Sequence, residues 1–301
     1  MNLCWGFFKW GLLVALIAAI AAVPYFYDRL DREIRQHLLT MLSEQYEGLD
    51  ISVRSAQFVE DEGIEIRDLV IVETEAAGPQ AELLSLPEVF LHSQGTLQEV
   101  LSGSLNVREV VFRRPVLRMT RRHDGTWSCS RLLPVPKFGD HPPSVIRVED
   151  ATIEVFDPTK NPSSMLVLRN ISVALTESEN AQTVDGTSPL REISGTLAGD
   201  YVSRVELRGQ VDLQTGAWSL EGVVENLEIT RESLHSVPEE WLSGCEIPEA
   251  CRAQASFQFA LSGGSEGTAL PCQFTANGTL NEGHIEDLRL PGPLTELTTS
   301  F

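Results

Sequence analysis

The chain has 301 residues, enough for one or two domains that each bury a hydrophobic core. Its 43 acidic and 23 basic residues give a net charge of -20, which argues against nucleic acid as a partner because phosphate binding needs a basic surface. The same charge disfavours attraction to an anionic membrane surface, and a hydrophobic fraction of 42% is too high for a disordered chain. We therefore expect a folded body that charge repulsion keeps in solution.

The first 27 residues predict a transmembrane anchor. Residues 10–23 read WGLLVALIAAIAAV without a charged side chain, and the longer stretch 5–27 adds only Lys9. A helix of that length spans a hydrocarbon core of about 30 Å, and aromatic residues near both ends are typical of membrane interfaces. Lys9 favours an amino terminus on the inside. The alternative is a cleaved signal peptide with Ala19-Ile20-Ala21 at the cleavage site, and in both cases the rest of the chain is exported.

Residues 28–48 predict an amphipathic helix. Apolar side chains recur there every three or four residues, at Leu30, Ile34, Leu38, Met41 and Leu42. Asp28 is a suitable amino-terminal cap and Gly48 a suitable stop. The apolar stripe needs a surface to cover, and we expect that surface to be the end of a β-sheet.

From residue 49 to 301 the apolar period becomes two, which predicts a mainly β domain. The clearest hairpin alternates over 204–213, turns at 214–217 and continues from Trp218, so one of its faces is dry and the other wet. Repeated along the chain, the pattern predicts a long, curled antiparallel sheet. A closed barrel or sandwich would seal the dry face, whereas an open sheet leaves it as a groove, and the period does not choose between them.

Two short helices and one irregular strand interrupt this pattern. The capping box Thr96-Leu97-Gln98-Glu99 opens a predicted helix that ends near Gly103, and a second helix is predicted over 230–243. Pro87 predicts an edge strand or a bulged strand, because proline lacks the amide that an inner strand donates.

The densest group of reactive side chains lies within residues 107–133. Besides five arginines it contains His123, Asp124, Ser128 and Cys129. Asp124-Gly125 predicts a two-residue type I′ turn, so that Trp127 and Cys129 share one side of the returning strand. Neighbours in a tight hairpin do not form a chain of nucleophile and base, which draws on separate loops. We interpret the segment as a strand, a turn and a strand, with its arginines on the wet face.

The sequence predicts no catalytic, metal-binding or cofactor-binding residue, and no enzyme. It contains no glycine-rich phosphate loop, HExxH, GxSxG or EF-hand loop, and its six histidines are scattered. Cys245 and Cys251 flank a short loop and could form a disulfide in an oxidising compartment, with Cys272 as a rival partner for either.

Four segments carry a resemblance to a known family. After the two amino-terminal helices come VRSAQFVEDEGIEIRDLVIVE, LQEVLSGSLNVREVVFRRPVLRMTRRHDGTWSCSRLL, PSVIRVEDATIEVFD and GTLNEGHIEDLRLPGPLTEL. Their order resembles the amino-terminal portion of AsmA-like and TamB-like envelope proteins of the repeating-β-groove lipid-transfer superfamily. The motifs themselves are loose, so the order carries the resemblance, which covers most of the chain.

The resemblance implies a gutter-shaped sheet whose apolar inside shields lipid acyl chains between two membranes, and a role in outer-membrane biogenesis. It implies an anchor in the inner membrane with the bulk of the chain in the periplasm, and phospholipid and an outer-membrane protein as partners. The expected groove-lining residues are Leu117, Met119, Trp127, Ile153, Val155, Val173, Val205, Leu207, Val211, Leu213, Leu220, Phe257 and Phe259. The alternative is a non-enzymatic scaffold or assembly factor for envelope proteins.

The expected length of the sheet is short for a bridge across an envelope. Strands stack at about 4.8 Å, so roughly 12–16 predicted strands give a groove with a length on the order of 60–75 Å. We therefore expect the groove domain, which begins at residue 49, to continue beyond residue 301 in a longer protein.

Overall fold

The computed structural model describes residues 29, 31–59, 62–74, 78–93, 107–132, 143–158, 164–178, 190–212, 217–237, 247–264, 273–287, 289 and 291–301. These residues form one large sheet with few helices, so the predicted mainly β class is confirmed. The predicted anchor at 1–27 and the predicted helix at 96–103 lie outside the described residues.

The sheet contains thirteen strands in the described part of the chain. They are β1 Leu49–Val59, β2 Gly63–Glu73, β3 Glu82–Ser93, β4 Val107–Arg113, β5 Val116–Thr120, β6 Val145–Asp157, β7 Ser164–Glu177, β8 Leu190–Gly199, β9 Val202–Asp212, β10 Trp218–Thr230, β11 Ala250–Gly263, β12 Gln273–Glu286 and β13 Leu294–Ser300. Two α-helices accompany them, α1 over 31–45 and α2 at Arg231–Ser236. Short 3₁₀ turns lie at Pro79–Ala81 and Ser128–Leu132.

Strand order follows chain order, and most neighbours are antiparallel. The exception is β4 and β5, which together occupy the place between β3 and β6 and run parallel to β6. The prediction of a wholly antiparallel sheet is therefore wrong at this position. β6 begins at Val145, which lies opposite Glu109 near the start of β4. Parallel strands need a crossover connection of this kind. β3 is an inner strand despite Pro87, so of the two predicted settings for that residue the edge strand is wrong. The irregular setting is found, because Pro87 lies opposite Asp68, where the ladder between β2 and β3 lacks a pair.

A line of bulges crosses the sheet. Among the described residues other than glycine, seven have positive φ, between 49° and 55°, and we call them the bulge line: Asp68, Arg114, Asp150, Asn170, Asn226, Glu282 and Glu296. The ladder is interrupted where they lie, as where pairing passes from Val224–Phe257 to Leu227–Ala255 between β10 and β11. A serine on the neighbouring strand replaces a lost ladder bond at two of them, since Ser256 Oγ accepts from the Asn226 amide at 3.1 Å and Ser172 Oγ from the Asp150 amide at 3.4 Å.

The bulge line shifts the alternation of apolar and polar residues by one position. The apolar side chains before and after it therefore stay on the same face of the sheet. In β2 the buried side chains are Ile64 and Ile66 before Asp68, then Leu69 and Ile71 after it. The step from residue 66 to 69 breaks the period of two, yet all four side chains belong to one hydrophobic cluster. Bulges also bend a strand and increase its twist. The seven residues lie in β2, between β4 and β5, and in β6, β7, β10, β12 and β13.

Helix α1 covers the first strands of the sheet. Its buried stripe of Ile34, Leu38 and Leu42 joins one cluster with side chains of β1 to β4, including Val53 and Val110. The Tyr46 hydroxyl donates to the Leu132 carbonyl at 3.2 Å, which ties the end of the helical segment to the 3₁₀ turn after β5. The apolar face of the sheet is thus sealed at this edge.

Helix α2 is shorter than the sequence predicts. It ends at Ser236, where the prediction continues to residue 243, and Val237 is extended with φ -77° and ψ 136°. A residue before proline is disfavoured in the helical conformation, so Pro238 explains the early end. The Thr230 hydroxyl accepts from the Ser233 amide at 3.1 Å and caps the other end of the helix.

The bulge line predicts opposite effects for two exposed glutamates. Glu282 has φ 54°, a conformation that is costly for a residue with a Cβ and free for glycine, whereas Glu221 lies in a regular part of β10. We expect Glu282→Gly to raise the free energy of unfolding by up to about 1 kcal/mol, and Glu221→Gly to lower it by about 0.5–1 kcal/mol. Urea denaturation of both variants measures this. Equal destabilisation by the two substitutions would contradict the assigned backbone conformation.

Candidate functional site: an apolar face across the sheet

The segment with the most reactive side chains folds as a turn. The Gly125 amide donates to the Arg122 carbonyl at 3.0 Å, and Gly125 has φ 83° while Asp124 does not have a positive φ. This is a three-residue loop with one left-handed glycine, so the predicted two-residue type I′ turn is wrong. Asp124 Oδ1 accepts from the Thr126 amide at 2.9 Å and the Thr126 hydroxyl at 2.7 Å, and these bonds lower the pKa of its carboxyl group. The carboxylate thus fixes the turn.

The predicted returning strand is also wrong. A single bridge joins Trp127 to Arg121, and the chain then enters the 3₁₀ turn at Ser128–Leu132. The Ser128 side chain is 1% exposed, and its hydroxyl accepts from the Thr120 amide at 2.9 Å. The hydroxyl accepts the bond that a carbonyl of a neighbouring strand would otherwise accept from the Thr120 amide at the end of β5. Residues 128–132 therefore do not need to form a strand. Ser128 is therefore held as a structural residue, away from His123, which lies in the exposed loop.

The arginines of this segment form ion pairs. The N–O distances are 3.1 Å for Arg113–Glu149, 2.6 Å for Arg114–Glu88, 2.5 and 2.8 Å for Arg118 with Glu82 and Glu154, and 3.3 Å for Arg121–Asp157. Arg122 pairs with Glu73. Burial acts to lower the pKa of Arg118, and its two carboxylate partners outweigh that effect and raise it. The positive charges are compensated within the sheet.

The described cysteines are not activated as nucleophiles. Burial raises the pKa of the Cys129 thiol. Burial and then the nearby Glu232 carboxylate raise the pKa of the Cys251 thiol. A raised pKa keeps the thiol protonated, and the thiolate is the reactive form. The predicted partners Cys245 and Cys272 lie outside the described residues, so the pairing of Cys251 stays a prediction.

The feature that extends over the sheet is an apolar face, built from side chains that lie directly opposite one another on successive strands. Opposed residues share a face, so a line of register partners traces one surface. One such line is Ala56, Ile66, Val89, Phe112, Val148, Val173, Gly195, Leu207, Gly222, Phe259 and Ala276. We call it the first rung. All its members are apolar or glycine.

Two further rungs run beside the first. The second rung is Phe58, Ile64, Leu91, Val110, Ile146, Leu175, Ile193, Gly209, Leu220, Leu261 and Phe274. The third rung lies beyond the bulge line and is Ile51, Ile71, Leu84, Leu117, Ile153, Leu168, Gly199, Val202, Leu227, Ala255 and Leu280. The apolar face therefore continues without a polar interruption from β1 to β12 in all three rungs.

Most of the expected groove-lining residues belong to this face. Val173, Leu207 and Phe259 lie in the first rung, Leu220 in the second, and Leu117 and Ile153 in the third. The others lie in register beside the rungs: Val205 with Val224 and Phe257, Val211 with Trp218, and Met119 with Val155. Trp127 lies in the turn segment opposite Arg121, and Leu213 lies outside the described residues. Whether these side chains contact lipid stays a prediction.

Exposure of the apolar face increases along the sheet. Under α1 the rung members Ile66, Val89 and Val110 are buried. Farther along the sheet, Leu207 and Leu220 are half-buried, and at the end of the second rung Phe274 is 59% exposed. The face is thus sealed at one edge and open toward the other in the described part of the chain.

Aromatic rings cover glycines on the open part of the face. A Cβ added to Gly222 would lie 2.6 Å from the Phe259 ring, and one added to Gly263 would lie 3.1 Å from the Trp218 ring. Each ring therefore occupies the space that a side chain on the opposed residue would need. The alternation of apolar and polar residues does not reveal these pairs, and the signal that could have found them is a glycine at an apolar position of a strand.

Ion pairs border the face at two places along the strand direction. Beyond the second rung on β8, Arg191 is 3% exposed, and its guanidinium contacts Glu177 at 3.0 Å and donates to the Ser144 carbonyl at 3.1 Å. Beyond the third rung on β6, Asp157 is 1% exposed and pairs with Arg121. On β9 to β11 the face continues past the second rung, because Val211, Trp218 and Gly263 lie in register with Arg191.

The described residues contain no group of histidine, cysteine or acidic side chains that could hold a metal ion. Within them we also find no helix with the length and apolar character that crossing a bilayer requires. No model of a known protein family matches the chain, and no curated protein matches it. The fold defines a mainly β protein with one large mixed sheet.

The raised thiol pKa values predict slow alkylation. We expect Cys129 and Cys251 in the folded chain to react with iodoacetamide more slowly at about pH 8 than the same thiols in urea, because less of each is thiolate. Mass spectrometry of the two peptides across a pH series gives the midpoint of each rate profile. A folded midpoint at or below the unfolded one would identify an activated thiol.

Proposed function

We propose that this chain is a membrane-anchored envelope protein that binds lipid acyl chains along its apolar face and conducts them between membranes. The observation that carries the proposal is the unbroken apolar face, which over β9 to β12 combines the buried Val205 and Val224 with the half-buried Leu207 and Leu220 and the exposed Phe274. Contiguous apolar surface of this kind on a folded protein marks a binding site for a partner, ligand or membrane. At roughly 4.8 Å per strand, a rung extends for about 50 Å, of which the four strands β9 to β12 account for about 15 Å.

The bulge line supports a curved, gutter-like sheet for this function. Bulges in several strands bend the sheet along a line parallel to the rungs, and a trough along that line presents both flanks to a bound chain. The first and third rungs lie on the two sides of the bulge line. A chain bound there contacts apolar side chains from both flanks.

The proposed location follows from the predicted anchor and the resemblance. The anchor at residues 1–27 places the sheet on the exoplasmic side of an inner membrane, in the periplasm. Phospholipid is the proposed cargo, and an outer-membrane protein is a proposed partner in outer-membrane biogenesis. The chain acts without a catalytic residue or a cofactor in this proposal.

A scaffold for envelope proteins is the second candidate function. The observation that favours it is the edge strand β13, which pairs with β12 on one side and leaves Leu294 half-exposed. An open strand edge accepts a strand from another protein. In that function the partner would pair with β13.

Two neighbouring positions on β10 test lipid binding. Leu220 lies on the apolar face, and Val223 lies on the opposite face with an exposed side chain. We expect a photocrosslinking benzoyl-phenylalanine at position 220 to label phospholipid when the full chain is reconstituted in vesicles of phosphatidylethanolamine and phosphatidylglycerol. The same group at position 223 should label lipid several-fold less. Mass spectrometry of the labelled peptides identifies the adducts.

The outcomes of this crosslinking separate the two functions. Equal lipid labelling at both positions, or none at 220, would contradict binding along the apolar face. A crosslink from position 220 to a protein in place of lipid would also contradict lipid binding, whereas a protein crosslink from position 294 on β13 would favour the scaffold. Circular dichroism of both variants shows that the sheet is intact.

A further inference from the structure

A small cavity lies between α2 and the apolar face. It has a volume of about 190 Å³ and is bounded on the sheet side by Leu168, Gly199, Val202 and Leu227, four consecutive members of the third rung. Leu234 of α2 bounds it on the other side. Gly199 contributes no side chain to the floor, and Leu168 and Val202 close over it, since an added Cβ would lie 3.1 and 3.3 Å from their methyl groups.

The two serine hydroxyls of α2 beside this cavity are already satisfied. Ser233 Oγ donates to the Thr230 carbonyl at 2.9 Å, and Ser236 Oγ donates to the Ser233 carbonyl at 2.7 Å. An ordered water needs two or more polar partners, and apolar cavities of about 150 Å³ stay dry and take small hydrocarbons. The cavity therefore suits a hydrocarbon group better than water.

The helix above the cavity is held at its start. The Thr230 amide donates to Ser233 Oγ at 2.8 Å, and the Arg231 guanidinium donates to the Glu249 carbonyl of the segment leading into β11 at 2.9 Å. These bonds fix α2 over the sheet and keep it from collapsing into the cavity. The cavity is thus part of the fold and is closed on two sides.

One acidic side chain borders the cavity. Asp200 is exposed and pairs with Arg169 at 2.8 Å, and the described residues that line the cavity include no lysine or arginine. Glu228 also borders the cavity, but its side chain lies on the opposite face of β10 from Leu227. The lining therefore offers a carboxylate or phosphate no basic partner, and the net charge of -20 repels both, so a neutral head is favoured.

We propose that α2 and the third rung form a binding site for the end of an alkyl chain that belongs to a neutral, single-chain amphiphile. The site rests on the proposed function in that it would hold the chain end of a lipid bound along the apolar face. Its volume accommodates a chain of about six carbon atoms, by comparison with the benzene-sized cavities of about 150 Å³ in other proteins. The polar head lies at the rim, beside Asp200.

Titration of the full chain with 1-octanol tests this site. We expect saturable binding of one octanol, followed by methyl resonances of Leu168 and Leu234. Val202→Phe fills the cavity and should weaken binding at least about tenfold, which corresponds to about 1.4 kcal/mol. The matched control is Val211→Phe, on the same strand and face but outside the cavity, which should leave the affinity within about twofold.

Further measurements keep the outcome decisive. Leu234→Phe fills the cavity from the helix side and replaces Val202→Phe if that variant unfolds. Octanoate should bind more weakly than octanol, and Asp200→Asn should reduce the difference. Absence of octanol binding to the unaltered chain, or equal weakening by Val211→Phe, overturns the site. Lipid crosslinking at position 220 of a Val202→Phe chain separates the two proposals, because loss of this site leaves the rest of the apolar face intact.

Discussion

The register between strands is the constraint on which the rest of the structure depends. Side chains alternate between faces, so a slip of one residue would move the apolar set of a strand to the wet face. Every rung needs the correct register at each of its successive strand pairs. The bulge line adds a second demand, because a phase change in one strand must be matched at the same level in the next. The apolar face is therefore a property of the whole ladder.

Arginine side chains reinforce this register on the polar face. Arg118 of β5 reaches Glu82 of β3 and Glu154 of β6, and Arg113 of β4 likewise contacts carboxylates on both neighbouring strands. Such cross-strand pairs each contribute little at a partly exposed surface, but they favour one alignment of the strands over its neighbours. A chain with so few basic residues uses many of them inside the sheet. This explains why a run of arginines here does not form an anion-binding patch.

The sequence allowed the β class and the apolar face to be predicted because both follow from a period of two. Val205 and Leu207 show that period without interruption, and the structure has a hairpin there. The bulge line was not predictable, because Asp150 or Glu282 looks like any polar residue on a wet face. The parallel position of β6 depends on a crossover that carries no period. The role of Ser128 was hidden because its partner, the Thr120 amide, is set by tertiary structure.

Helices α1 and α2 cover the apolar face to different extents, and this difference bears on the function of the face. Helix α1 seals it, with Val53 and Val110 each 1% exposed, whereas α2 leaves a cavity over Gly199. Full burial of a leucine or phenylalanine is worth about 1.5–3 kcal/mol. Covering the half-buried Leu207 and Leu220 and the exposed Phe274 with an apolar group would therefore be favourable. The ion pairs of Arg191 and Asp157 border the face on β8 and β6, whereas on β9 to β11 it continues through Val211, Trp218 and Gly263.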